Sequence, residues 1–130
     1  MVVIDTSALM SIILGEETAE ACKAVLDAED TILISAGTLA EALVVAERRG
    51  LRRRLETLVA ALSPVIEPVT AAAAGEVAEA YRSWGKGMHP AGLNFGDCFA
   101  YALARREGAP LLFVGDDFSR TDVRPAATRP

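Results

Sequence analysis

Val2-Val3-Ile4-Asp5-Thr6-Ser7-Ala8-Leu9 is the stretch whose reading decides the architecture. Three apolar residues in a row, with no polar alternation, are what a strand covered on both faces requires. The polar triplet Asp5-Thr6-Ser7 then starts a helix, because Asp, Thr and Ser side chains accept hydrogen bonds from the free N–H groups of a first helical turn. Ala8, Leu9, Ile12 and Ile13 recur at helical spacing and Gly15 stops the run. The unit is strand, carboxylate, helix.

Working outward, a second helix is expected from about residue 17, with Ala21, Val25 and Ala28 on one face, and a second strand over residues 31–35. Helices follow over 36–49 and 51–62. The stretch over 65–69, with prolines at Pro64 and Pro68, reads as an edge strand. A long Ala-rich helix over 70–84 has Thr70 as its N-cap. The segment 85–92 is a Gly/Pro-rich loop with neither G-x-G-x-x-G nor G-K-[ST]. A last helix over 94–107, apolar nearly all round and hence expected to be buried, ends at Gly108, and a core strand over 111–114 precedes a polar, Pro-rich tail. Strands alternating with helical hairpins imply a single α/β domain over residues 1–130 with a mostly parallel sheet.

The 130 residues suit one core, and 52% hydrophobic with 24% charged residues are globular values. No apolar run reaches membrane-span length and no signal-peptide pattern is present, so a cytoplasmic protein with no membrane partner is expected. A net charge of −5 excludes a simple basic coat for nucleic acid. Arg48, Arg49, Arg52, Arg53 and Arg54 are clustered, either as a solvated helix end or as a ridge for phosphates; Arg48, Arg49 and Arg52 are the candidate RNA contacts. Cys22 and Cys98 lie in apolar contexts, and one His with two Cys cannot assemble a tetrahedral zinc site. His89, in the loop, is not placed for nucleophilic or general-base work.

The candidate chemistry lies in acids. Asp5 follows the first strand, Glu41 stands early in an apolar helix, Asp97 heads the last helix, and Asp116-Asp117 follow the last strand. Carboxylates at strand ends and helix starts converge at the carboxyl edge of a parallel sheet. Two unit charges ~4 Å apart repel by about 4 kcal/mol at an effective dielectric near 20, so such a cluster calls for a hard cation with oxygen ligands, Mg²⁺ or Mn²⁺. Each acid also has a local reading. Asp5 can cap its helix, although Thr6 or Ser7 can do so in its place; Thr38-x-x-Glu41 fits a capping box; Asp97 is three residues after the candidate cap Asn94; and Asp116 or Asp117 can start a turn.

The segments Val3-Ile4-Asp5-Thr6-Ser7-Ala8-Leu9, the Glu41 helix, Gly92-Leu93-Asn94-Phe95-Gly96-Asp97-Cys98-Phe99-Ala100-Tyr101-Ala102-Leu103-Ala104 and Leu111-Leu112-Phe113-Val114-Gly115-Asp116-Asp117-Phe118-Ser119-Arg120-Thr121-Asp122-Val123 closely resemble PIN-domain ribonuclease toxins of the VapC family, nearly end to end. The resemblance implies a flavodoxin-like α/β/α fold, a homodimer, Mg²⁺- or Mn²⁺-dependent endoribonuclease activity and inhibition by a small cognate antitoxin. Carried over by motif, Asp5 and Asp97 are the principal metal ligands, Glu41 the third acid, and Ser7 a hydroxyl that orders the site. Asp117 matches the steadier position of the last motif and Asp116 the variable one.

The chemistry expected is in-line attack on a phosphodiester by water activated by the cation, leaving a 5′-phosphate and a 3′-hydroxyl. A phosphoaspartate receiver is the first rival, but receivers pair their early acids and place a Lys after the last strand, and neither holds here. A non-catalytic PIN-like binding module and a nuclease acting on DNA are the other two.

Overall fold

The computed structural model describes residues 1–126; the end of the polar tail lies outside them. The chain runs β1 (Val2–Ile4), α1 (Thr6–Leu14), α2 (Ala19–Asp27), β2 (Ile32–Ser35), α3 (Ala36–Arg48), α4 (Arg52–Leu62), β3 (Val65–Glu67), α5 (Ala71–Trp84), α6 (Phe95–Glu107) and β4 (Leu111–Leu112). The strands form one sheet in the order β3-β2-β1-β4, and every pairing is parallel. The Pro-bracketed strand is therefore at the edge, as its prolines require. On the opposite edge the tail adds a single parallel bridge between Leu111 and Pro125.

Strand alternation divides the core in two. Val3, Leu33 and Leu111 face the layer of α5 and α6. Val2, Ile4, Ile34 and Leu112 face α1, α2, α3 and α4. Both faces of each central strand are covered, which is why these strands are continuously apolar. The chain passes from β1 to β2 on one side and returns to β4 on the other, so the direction of strand order reverses at β1. Crevices at the carboxyl edge of such a switch point are where parallel α/β sheets place their ligands.

Helix ends follow the local chemistry. Gly15 and Gly108 close α1 and α6 in the left-handed conformation, at φ of 65° and 62°. Thr70 caps α5, its side chain accepting from Ala73 N–H at 3.1 Å. The last helix departs from expectation at its start. Asp97, Cys98 and residues 100–104 are buried, but Phe95 is exposed.

α3 and α6 meet at two glycines. A Cβ on Gly37 would overlap the Phe99 ring, and one on Gly96 would overlap the Glu41 carboxylate. Gly37→Ala gains about 0.5–1 kcal/mol of helix propensity but drives a methyl into a stiff ring, at a cost of about 1–3 kcal/mol. A net loss of stability is expected, seen as a melting temperature several degrees lower; an unchanged or higher value would show that Phe99 is free to move aside.

Candidate active site

β1 delivers Asp5 to the carboxyl edge of the sheet, where its backbone N–H still donates to Leu112 O at 3.0 Å. Asp5 itself is the N-cap of α1. Its Oδ2 accepts from Ser7 N–H at 3.0 Å and from Ser7 Oγ–H at 2.6 Å. The expectation that Thr6 or Ser7 could take over the cap is thus corrected: Thr6 and Ser7 are already inside the helix. Capping occupies only one carboxylate oxygen. Oδ1 is fully buried and has no hydrogen-bond partner. Ser7 Oγ also accepts from Val114 N–H at 3.0 Å. That bond explains why β4 ends at Leu112 rather than at residue 114: Val114 turns its N–H to Ser7 instead of to a neighbouring strand.

Glu41 is not part of a capping box. Ser35 caps α3 by accepting from Gly37 N–H at 3.1 Å, which puts Thr38 inside the helix. Glu41 Oε1 instead accepts from the Thr6 hydroxyl at 2.8 Å, and Thr6 Oγ1 also lies 3.3 Å from Thr38 O. The half-buried carboxylate rests against Gly96, in the first turn of α6, where helix N–H groups favour negative charge. The buried Thr38 hydroxyl has no partner.

Asp97 makes the capping box that its spacing from Asn94 predicts. Asn94 Oδ1 accepts from Asp97 N–H at 2.8 Å, and Asp97 Oδ2 accepts from Asn94 N–H at 3.0 Å. Again one carboxylate oxygen is used and the other is not.

Electrostatics ties the four acids together. Burial pushes the Asp97 carboxyl up to about 7, against its Asn94 bond, and the charges of Asp5, Asp117 and Glu41 raise it further. Burial likewise pushes Asp5 up to about 6, against the two Ser7 bonds, with Glu41 adding to the rise. Among the described residues none of the four is in a salt bridge. Of the consecutive pair, Asp117 is the one whose charge reaches Asp97. Both are exposed, and the Asp116 carbonyl accepts from Ser119 N–H and Oγ–H. Phe118, 2% exposed, anchors this turn in the core.

The donors present fit a hard cation. All four are oxygen ligands, and a buried carboxylate oxygen without a partner is costly until something positive meets it. The set is not closed, however. Among the described residues no three acidic, thiol or imidazole side chains stand close enough to hold an ion as they are.

Other candidate groups lie elsewhere. Burial pushes the Cys98 thiol up to about 11, with the Asp97 charge adding to it, and Cys22 is buried. His89 Nδ1 accepts from Ala91 N–H at 2.9 Å, and its ring meets Trp84 edge-on. Arg52 is paired with Glu47 and Glu56 at 3.3 and 3.4 Å. Arg48 and Arg49 are exposed at the end of α3, roughly 10 Å along the helix from Glu41 for Arg48. Sequence reasoning missed Thr6, the hydroxyl that holds Glu41; its one signal was its position directly after Asp5.

The chain is similar to known proteins over nearly its whole length. The family profile described as PIN domain matches residues 2–124. Ribonuclease VapC42 of Mycobacterium tuberculosis is 41% identical over 130 residues, covering 97% of this chain and 99% of the relative. Ribonuclease VapC30 of the same organism is 42% identical over 128 residues, covering 96% and 98%. Among solved structures, VapC20 of M. tuberculosis, described as a sarcin–ricin loop cleaving toxin, superposes with a TM-score of 0.75 at 20% identity, over 95% of this chain and 96% of that one. A toxin–antitoxin complex from Klebsiella pneumoniae gives 0.69 at 21% identity, over 94% and 93%.

Proposed function

Because the chain belongs to the PIN-domain family, among the VapC ribonucleases, we propose that it is the toxin of a toxin–antitoxin pair: an endoribonuclease dependent on Mg²⁺ or Mn²⁺. The observation that carries this reading is the uncompensated acidic site at the carboxyl edge of β1, with Asp5 Oδ1 buried and unpartnered. A cognate antitoxin, a homodimer and a cytoplasmic setting belong to the same reading. The antitoxin draws support from the structural neighbours found in such complexes. No helix among the described residues is long and apolar enough to cross a membrane.

Asp5 and Asp97 would be the principal ligands of the cation, with Glu41 and Asp117 completing the acidic set. When bound, the ion supplies Lewis acidity toward a phosphodiester and lowers the pKa of water. The chain's own residues do the rest. Ser7 fixes Asp5 against the Val114 segment, Asn94 fixes Asp97, and Thr6 fixes Glu41. Hydrolysis by water yields a 5′-phosphate and a 3′-hydroxyl. Mapping product ends on RNA and on DNA of the same sequence tests this: 2′,3′-cyclic phosphates, or equal cleavage of DNA, would refute it.

Gly96→Ala tests the Glu41 assignment. The added methyl displaces the flexible end of Glu41, so the fold should tolerate it. RNA cleavage is expected to fall at least ~10-fold, about 1.4 kcal/mol of transition-state stabilisation, with little change in melting temperature. In a Glu41→Ala background the same substitution should have no further effect on rate; an independent loss there would give Gly96 a role of its own.

A further inference from the structure

Phe95 has no part in the site as described so far. It is the most exposed large hydrophobic side chain among the described residues, with 69% of its surface open. It is the first residue of α6, adjacent to the Gly96 on which Glu41 rests and two before Asp97. Its ring meets Phe99 edge-on, with centroids 4.9 Å apart and planes at 70°, and Phe99 lies on Gly37 of α3. The ring is braced from behind and otherwise exposed.

Nothing local calls for an aromatic residue there. The first helical position favours proline, and phenylalanine is only a middling helix former. Its chain neighbours Asn94, Gly96 and Asp97 are polar or lack a side chain, so beyond Phe99 the ring stands among residues of the acidic site. A protein interface core is built from a contiguous apolar patch; a single braced ring matches the face of one nucleobase. The electrostatics points the same way. The chain carries a net charge of −5, Arg52 is paired with Glu47 and Glu56, and Arg48 lies roughly 10 Å along α3 from Glu41, so the candidate arginines are set back from the acids beside Phe95. Stacking of bases on aromatic side chains is the other main way of holding single-stranded nucleic acid.

We propose that Phe95 is the stacking platform for one unpaired nucleobase of a single-stranded RNA, beside the phosphodiester presented to Asp5, Glu41, Asp97 and Asp117. The assignment rests on the ribonuclease reading and adds a specificity-determining residue to it, one that a base held in a duplex cannot reach. Phe95 is a specificity-determining residue, not a catalytic one.

The test uses the full chain and a single-stranded RNA that the wild type cuts, together with a set of the same RNA carrying one abasic site at each position in turn. Phe95→Ala is expected to raise KM by about 5- to 150-fold, the range that loss of one base–aromatic stack gives, while kcat changes far less. Phe95→Trp and Phe95→Tyr should stay near wild type, and Phe95→Leu should resemble alanine. One abasic position should weaken the wild type as Phe95→Ala does and have no further effect in that variant. Wild-type KM in Phe95→Ala, or leucine as good as tryptophan, would overturn the proposal and leave the ribonuclease reading standing. An unchanged KM with an altered oligomeric state would assign Phe95 to a protein interface. A wild type that neither cuts nor binds single-stranded RNA, measured by fluorescence anisotropy, would overturn both readings.

Discussion

Asp5→Asn combined with Asp97→Asn is expected to abolish RNA cleavage and to raise the melting temperature at pH 7.5. Loss of rate should be on the order of 10³-fold, the scale on which preorganised groups stabilise transition-state charge. The stability gain has a separate cause. Asn caps helices as well as Asp does, so the Ser7 bond to Asp5 and the Asn94 bond to Asp97 retain an acceptor. What disappears is the burial of charge. The Asp5 carboxyl, 3% exposed, is pushed from 3.8 to about 6. At 1.36 kcal/mol for each unit, ionising it in the fold costs about 3 kcal/mol relative to the unfolded chain. Part of that should return in the variant. Thermal melts and cleavage rates on the same preparations check both halves. A variant that is inactive and also less stable would point to a structural role for the two acids.

The second large effect concerns pH and cations. A carboxyl raised in the folded state binds protons that the unfolded chain has already released, so without divalent ions stability should fall as pH rises from about 4 to about 7 and then level off. Because Asp5, Asp97 and Glu41 interact, the midpoints belong to the cluster rather than to single residues. A divalent cation binds the ionised cluster and should oppose this loss. Mg²⁺ or Mn²⁺ at 100 times Kd stabilises by about 2.7 kcal/mol, so the melting temperature should rise clearly at pH 7.5 and hardly at pH 5. EDTA should reverse the rise and stop cleavage. An equal cation effect in the Asp5→Asn, Asp97→Asn protein would place the ion elsewhere.

Much of the fold was legible because local signals agreed with one another. Continuous apolar triplets, Gly15 and Gly108 as helix stops, and Pro64 and Pro68 around an edge strand each correspond to an element in the structure. The shortfalls are long-range. β4 stops early because Ser7, 107 residues away, takes the Val114 N–H. Phe95 fits the apolar pattern of its helix, and only the packing of α6 against α3 leaves it outside. Of the candidate acids, Asp5 and Asp97 stand at element boundaries, Glu41 lies in the second turn of α3 and Asp117 follows β4, and their charges act on one another. Which local reading holds depended on atoms. Asp5 and Asp97 do cap their helices, and each keeps one carboxylate oxygen back. The capping box proposed for Glu41 fails because α3 begins at Ala36, so that Thr38 is already inside the helix. The Thr6 contact could not be seen without the tertiary fold that sets α1 beside α3.

The most direct measurement is cleavage of total cellular RNA by the purified protein, freed of antitoxin, with Mg²⁺, with Mn²⁺ and with EDTA, beside the Asp5→Asn, Asp97→Asn protein. Discrete fragments are expected that appear only with a divalent cation and are absent from the double variant. Fragments that persist in EDTA or in the double variant would contradict a four-acid cation site, and a folded, cation-binding wild type that cuts no RNA would contradict the ribonuclease itself.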